Sequence, residues 1–376
     1  MIVASEVCTS TYLGSEASMA KQSVAALEQF VDGFKAYPFV VGIDVHKRSL
    51  SVALRRVDGR VHTFVCPGDP TVLVKLIERL EIQVALVAQE AGPTGFGLAR
   101  AFMHKGVKVI VAAPSKIPRS VTAGAKCDRL DCIKLAELAA RGMLKPIAIP
   151  TEEEQAQRCL LRRRHSIVDG VRRAKQRIKS LLLLLGMEEP KGLSHWSLKA
   201  IDELSHLPLE PWALSTMESY LRELEFHTKE LRRVEVELKA LPQTSKQAHS
   251  IRHMKTVPGV GPVVATTFAM EVFRATRFKR AEELASYLGL APMVHHSGAK
   301  NPSGRIMPVG QKRLRSLLVE AAWVWKTRDP YAAEIYNRML GRMSIPQKAI
   351  VAVARKLAII LWRLCVEQRP YRYGTV

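Results

Sequence analysis

The chain has 376 residues, 47% hydrophobic and 24% charged, ordinary proportions for a globular protein of two or three cored domains. Its charge balance is not ordinary: 57 Lys plus Arg stand against 35 Asp plus Glu, a net charge of +22 at neutral pH. That excess favours a polyanionic partner, through phosphate contacts and counterion release. A secreted basic protein or a membrane-surface binder fits less well; apolar runs such as Leu181 to Leu185 fall far short of the ~18 residues that would suggest a membrane span. The N-terminus also lacks the basic-then-apolar pattern of a secretory signal.

Residues 1–37 read as an N-terminal extension, weakly ordered, with one short amphipathic stretch and a second possible start at Met19. From residue 38 to 150 the pattern is strand-rich. Val40 to Val45 and Ser49 to Arg56 are strands, Asp58-Gly59 is a hairpin turn, and Val61 to Cys66 returns as a third strand. A helix over Pro70 to Leu80 follows, then a strand ending at Glu90, a helix around Gly95 to His104, a strand Val107 to Ala113, and a helix from Asp128 to about Gly142. Three antiparallel strands followed by alternating helix and strand is the chain order of a ribonuclease-H-like α/β sheet. A doubly wound nucleotide-binding fold would open with a Gly-rich turn after the first strand; here His46-Lys47-Arg48 stands in that place.

Within this domain four carboxylates stand out. Asp44 and Glu90 end two apolar strands, and Asp128 and Asp131 sit three apart at the start of a helix, facing one side. Singly, each reads as a turn or cap residue. Gathered in one place they would repel one another unless a cation lay between them. Carboxylate oxygens suit Mg²⁺, and a metal pair about 4 Å apart clamps both the attacking and the leaving oxygen of a phosphodiester.

Residues 151–245 differ in kind. Leu160, Ile167, Val171, Ala174, Ile178, Leu181 and Leu185 fall on alternating three- and four-residue steps, interrupted at Arg164. Leu214, Met217, Leu221, Leu224, Thr228, Leu231 and Leu238 repeat the pattern, with Glu235 out of place. The two helices, separated by Gly and Pro breakers, predict an antiparallel helical hairpin or a dimerising coiled coil. The first helix carries nine Lys/Arg between Arg158 and Lys179 against the single acid Asp169. A charge run is usually a solvated face, but this one-sidedness points to nucleic acid, with Arg172, Arg173 and Arg177 as contacts.

Residues 246–376 read as a compact, mainly helical domain closing with an amphipathic helix over Pro346 to Val366. Thr256-Val257-Pro258-Gly259-Val260-Gly261-Pro262 resembles the turn of a helix-hairpin-helix element, in which Gly259 and Gly261 let the backbone approach a phosphate beside Lys255. The alternative is a tight turn with no ligand. A basic loop runs from His295-His296-Ser297-Gly298 through Lys300, Ser303 and Arg305 to Lys312, Arg313 and Arg315, whose cations suit phosphate binding. Nothing here has zinc-site spacing. Cys8, Cys66, Cys127, Cys132, Cys159 and Cys365 are scattered, as reduced intracellular thiols would be.

Together these segments resemble a known family. Gly42-Ile43-Asp44-Val45-His46-Lys47, the Glu90 strand and Lys126-Cys127-Asp128-Arg129-Leu130-Asp131 resemble the RuvC-like domain of DEDD insertion-sequence transposases. The Pro258 turn, Tyr287-Leu288-Gly289-Leu290-Ala291-Pro292, Ser297-Gly298 and Leu314-Arg315-Ser316-Leu317 resemble their C-terminal transposase domain. This is insertion-sequence family one-ten, which includes the Piv-type invertases and the bridge-RNA-guided recombinases. The resemblance implies that Asp44, Glu90, Asp128 and Asp131 hold Mg²⁺, and that a serine, here Ser297 with Ser303 second, forms a covalent link to DNA. It further implies a homodimer or homotetramer acting on DNA with a structured guide RNA, in a bacterial or archaeal cytoplasm, associated with the nucleoid. Two positions depart from the family pattern: His296 stands where a first serine is common, and Cys127 where Thr is common. The competing enzyme class is a RuvC-like Holliday-junction nuclease using metal-activated water. A non-enzymatic nucleic-acid-binding scaffold is the third reading.

Overall fold

A computed structural model describes residues 21–118, 128–244, 247–292, 306 and 310–373, in two compact units, Met1–Thr151 and Glu152–Val376. In the first unit, α1 (Lys21–Val31) precedes the antiparallel strands β1 (Pro38–Val45), β2 (Ser49–Arg55) and β3 (Val61–Pro67). There follow α2 (Pro70–Arg79), β4 (Gln83–Glu90), α3 (Gly97–His104), β5 (Val109–Ala112) and α4 (Asp128–Ala140). The strand order is β3-β2-β1-β4-β5, with β1, β4 and β5 mutually parallel. This mixed sheet has the three-antiparallel start and helix–strand alternation expected from the sequence.

Local chemistry sets several of these boundaries. Gly59 takes φ +91° in the β2–β3 turn, where Arg60 N–H donates to Asp58 at 3.0 Å. Asp69 caps α2 by accepting from Thr71 N–H at 2.8 Å, and Pro70 occupies the first helical position, where no N–H is needed.

The two faces of the sheet are built differently. One face carries Phe39, Val41, Ile43, Leu50, Val52 and Leu54, and packs with buried side chains of α1, α2 and α3. Within the stretch read as an N-terminal extension, the described helix α1 is packed on the sheet: Leu27 and Val31 are core residues, and Glu28 pairs with Arg79 at 3.1 Å. The opposite face uses small residues, Gly42, Ala53, Ala88 and Ala112, beneath Cys132, Leu135, Ala136 and Ala139 of α4. Covering both faces explains why β2 is buried along most of its length instead of alternating, as an antiparallel strand with one wet face would.

The second unit is helical: α5 (Glu152–Leu184), α6 (Leu198–Leu204), α7 (Pro211–Thr244), α8 (Ala248–Met254), α9 (Pro262–Val272), α10 (Ala281–Leu288), α11 (Lys312–Arg328), α12 (Pro330–Met343) and α13 (Pro346–Glu367). Helices α5 and α7 run antiparallel along each other, with Arg164 against Glu235, Gly170 against His227 and Arg177 against Glu223. The two interruptions of the apolar repeat are each other's partners: Arg164 donates to Glu235 Oε1 at 2.6 and 2.9 Å. Gly170 is buried because the His227 ring occupies the space of its missing side chain.

The seam drifts from the strict heptad reading. On α5 the buried positions are Leu161, Ile167, Gly170, Ala174, Ile178 and Leu182, while Leu185 is exposed. A helix of 3.6 residues per turn rotates its apolar stripe away from a seven-residue repeat over this length. The far end of the pair forms a small core with Leu193 and α6. Its base, through Leu161, Ile167, Val234 and Leu238, belongs to the large core of α8 to α13. The segments that the sequence reading separates at residue 245 thus share one apolar core.

Candidate acid site and cationic cleft

The acid site begins with strand register. Ile43 pairs with Gln89 across the parallel β1–β4 ladder, so the next residues, Asp44 and Glu90, come level at the carboxyl ends of neighbouring strands. Strand alternation puts both on the face covered by α4. Gly42 is what lets α4 lie there: a Cβ at Gly42 would stand 2.1 Å from the Cys132 carbonyl oxygen and 2.5 Å from Ala136 N. Asp131 rides on the first turn of α4, one residue before Cys132. The Cys132 thiol is pushed up to about 11 by burial, and the charges of Asp44 and Asp131 push it the same way, so both carboxylates act on one small volume.

Asp44 is partly buried, and His46 Nε2 lies 3.1 Å from its Oδ2. The side chain of Asp128 falls outside the described residues, as does Cys127. Among the described residues no group of three or more His, Cys, Asp or Glu side chains is close enough to hold a metal. The acids on this face, Asp44, Glu90 and Asp131, offer carboxylate oxygens, which suit a hard divalent cation in kind. Cys132 offers no soft alternative, being buried, protonated at neutral pH and hydrogen-bonded to the Arg129 carbonyl at 3.2 Å.

In the second unit, residues far apart in sequence line one cleft of about 1140 Å³ between α5, α9 and the start of α11. Arg162, Arg164, Arg172, Arg173, Lys312 and Arg313 bring six cations to it, against the carboxylates of Asp169 and Glu320. Some of these cations are already engaged: Arg164 by Glu235, Arg172 by Asp169 at 3.0 Å, and Arg162 by the buried Glu271 at 3.5 Å. Arg173, Lys312 and Arg313 have no ion pair among the described residues. Arg177, expected beside them, donates twice to Glu223 at 2.6 and 2.7 Å and does not line this cleft.

Two further expectations change at the C-terminal turn and the start of α11. Gly259 takes φ +85°, and a Cβ there would meet α11 backbone at 2.9 Å, so this glycine serves close helix packing rather than approach to a phosphate. Gly261 at the start of α9 has open space around it, and Lys255 is exposed at the end of α8. Arg315 is directed inward, donating to the Gly289 carbonyl at 3.1 Å where α10 ends, which makes it a helix-end partner rather than a surface cation. Ser297, Ser303, Lys300 and Arg305 lie outside the described residues. The chain around them leaves at Pro292 and returns at Ile306, which form an antiparallel bridge. Gly310 then packs against the end of α10, and Gln311 N–H donates to the Tyr287 carbonyl at 3.1 Å.

A family model described as Transposase matches residues 41–187, and one described as Transposase IS116/IS110/IS902 family matches residues 251–337. The chain belongs to this transposase family. It is 34% identical over 272 residues to a putative transposase, y4qE, of Sinorhizobium fredii, a match covering 71% of this chain and 64% of that protein. The match thus spans less than two thirds of that relative's length. The transposase for insertion sequence element IS1111A of Coxiella burnetii is 26% identical over 299 residues, covering 78% of this chain and 81% of that one. The pilin gene-inverting protein of Moraxella bovis is 25% identical over 249 residues, covering 65% and 68%. Among solved structures, Thermus thermophilus RuvC in complex with a Holliday junction substrate aligns with 30% of this chain and all of that one, at 15% identity and a TM-score of 0.23, a likeness too loose to bear on function.

In this transposase-family chain the first matched segment opens on β1 and the second takes in the Pro258 turn and α11. Sequence reasoning overlooked three residues. Arg162 and Arg164 looked like part of a uniform basic face, and only the fold brings them to the cleft of Lys312 and Arg313. His46 stands in the turn after β1 and in the Gly42–Lys47 motif with no role of its own there; its spacing of two from Asp44, the same-face spacing of a strand, is the available signal.

Proposed function

We propose that the protein is a DNA recombinase that excises and inserts an insertion sequence, its acid site acting together with Ser297. What supports this reading is the register that brings Asp44 level with Glu90 at the carboxyl ends of adjacent strands, with the α4 helix that carries Asp131 packed on the same face, in a member of a transposase family. Asp44, Glu90, Asp128 and Asp131 would hold the cation. When bound, a divalent ion, with Mg²⁺ the best match to four carboxylates, supplies charge neutralisation and polarises the phosphate. Among the described residues no helix is long and apolar enough to cross a membrane.

Ser297 is the proposed nucleophile. Its Oγ forms a bond to phosphorus as one P–O bond of the strand breaks, and the serine proton ends on the departing strand oxygen. One phosphodiester is exchanged for another, so the link can be reversed to join a new strand end without input of energy. The cationic cleft, through Arg172, Arg173, Lys312 and Arg313, binds sugar–phosphate backbone, Lys255 and Gly261 add contacts around the helix-hairpin-helix-like turn between α8 and α9, and Lys300 and Arg305 are further phosphate contacts. A structured guide RNA and a homodimer or homotetramer complete the working assembly.

Trapping distinguishes this reading from a junction nuclease. Cognate DNA and RNA incubated with protein and Mg²⁺, then denatured, should leave a protein–DNA adduct mapped by mass spectrometry to Ser297. Ser297→Ala should lose both adduct and recombination. Cleavage with no adduct, unchanged in Ser297→Ala, would instead support metal-activated water as the nucleophile.

A further inference from the structure

Helix α11 carries two tryptophans in different situations. Trp325 is fully buried, and its Nε1–H donates to Asp329 at 2.9 Å, so packing accounts for it. Trp323 is 38% exposed, and its ring meets that of the buried Tyr336 on α12 with centroids 5.8 Å apart at 55°. Lys326 Nζ lies 4.7 Å from the centre of the Trp323 ring and 3.8 Å from that of Tyr336. The indole is therefore steadied by a tyrosine and a cation while it stays in contact with water.

Its place along α11 gives that surface a direction. Lys312, Arg313, Ser316, Leu317 and Glu320 line the cationic cleft. Trp323 follows Lys312 by eleven residues, Ser316 by seven and Glu320 by three, the spacings of one helix face. At 1.5 Å per residue it lies about 16 Å beyond Lys312 and roughly 5 Å beyond Glu320 along the axis. The face thus begins with cations, which take phosphate. It passes a carboxylate, which repels phosphate but accepts from a base amino group, and ends on an indole.

We propose that Trp323, backed by Tyr336 and Lys326, is a stacking platform for an unpaired base of the DNA strand whose backbone lies in the cationic cleft. This inference rests on the reading of that cleft as a DNA-backbone site. A base inside a duplex offers a protein only its edge, whereas an unpaired base offers a π face that can cover an indole. Exchange of strand ends leaves bases without partners, so DNA itself supplies the occupant. Stacking is tolerant of sequence because every base has such a face, and the ammonium beside the rings offsets the charge of the phosphates flanking a stacked base.

The test is binding of the full-length protein to short fluorescent oligonucleotides, read by anisotropy across a salt series. Trp323→Ala should weaken affinity for single-stranded DNA by roughly 5- to 150-fold, the worth of one stacked base. The slope of log affinity against log salt should stay the same, because no phosphate contact is lost. Affinity for blunt duplex should be unchanged, and Trp323→Phe should keep most of the single-strand affinity. Single-stranded DNA of the same length carrying abasic sites tests the platform without a variant. The wild type should bind it at least as many fold more weakly, and Trp323→Ala should lose less from the same change. Equal wild-type affinity for normal and abasic strands overturns the platform and leaves the cleft standing. So does an equal loss on duplex and single strand in Trp323→Ala, or a loss confined to RNA of the same sequence. A wild type that binds neither form of DNA overturns the cleft reading and this inference with it.

Discussion

Replacing Gly42 by alanine probes the contact on which the acid site depends. The added methyl would lie 2.1 Å from the Cys132 carbonyl oxygen, 2.5 Å from Ala136 N and 3.0 Å from Ala136 Cβ. Two of these neighbours are backbone atoms, so no side-chain rotation relieves the clash, and restoring ordinary separation takes a shift of about 1 Å. β1 is paired on both sides, with β2 and β4, so α4 is the element that gives way. Overpacking of this kind costs roughly 1–3 kcal/mol, offset by about 0.4–1 kcal/mol from the stiffer unfolded chain. The net loss lowers the melting temperature by a few degrees and leaves the protein folded at 25 °C, at roughly 2–4 °C per kcal/mol. Asp131 moves with α4 away from Asp44, and a misplacement of about 1 Å costs on the order of 100-fold in the chemical step. Single-turnover cleavage of cognate DNA, measured beside a melting curve, separates the two effects. Gly97→Ala, at a position in the same unit with nothing within 4 Å, is the control and should change neither. Wild-type cleavage and melting in Gly42→Ala would refute the close approach of α4 and with it the geometry of the site.

Other outcomes follow from the second unit and the thiols. Truncating Arg164 or Glu235 alone strands a partly buried charge and should cost about 1–2 kcal/mol in chemical denaturation, whereas replacing both by leucine should cost less than either single change. Neutralising Arg173, Lys312 and Arg313 together should weaken nucleic-acid affinity and reduce the slope of log affinity against log salt by roughly 2 to 3; an unchanged slope removes the cleft from the interface. Brief alkylation at pH 7.5 should label the exposed Cys159 ahead of Cys66, Cys132 and Cys365, whose thiols burial pushes up to about 12, 11 and 12. Each titrates above its ordinary value, so labelling of the buried three should rise only in strongly alkaline solution or on unfolding, as peptide mass spectrometry would show.

Legible in the chain alone are the strands from Val40 to Cys66, the Asp58-Gly59 turn, the Pro70 helix, and the acids at the ends of β1 and β4. All of these are written in local periodicity and in the backbone preferences of Gly and Pro. It also showed the nine cations of α5 and the charge excess, since composition needs no fold. It did not show which of those cations remain outward. Arg177 faces Glu223, Arg164 faces Glu235 and Arg315 meets the end of α10, and these pairings join residues from 26 to 71 positions apart. Nor could it distinguish Gly259, closed against α11, from Gly261, open two residues later, because the difference lies in a helix more than fifty residues away. The place of α1 was likewise tertiary: a short amphipathic stretch gains its stability only from the sheet that covers it. Local pattern fixed where the acids stand along the chain. Packing, through one glycine under α4, decided how closely the helix that carries Asp131 lies against β1.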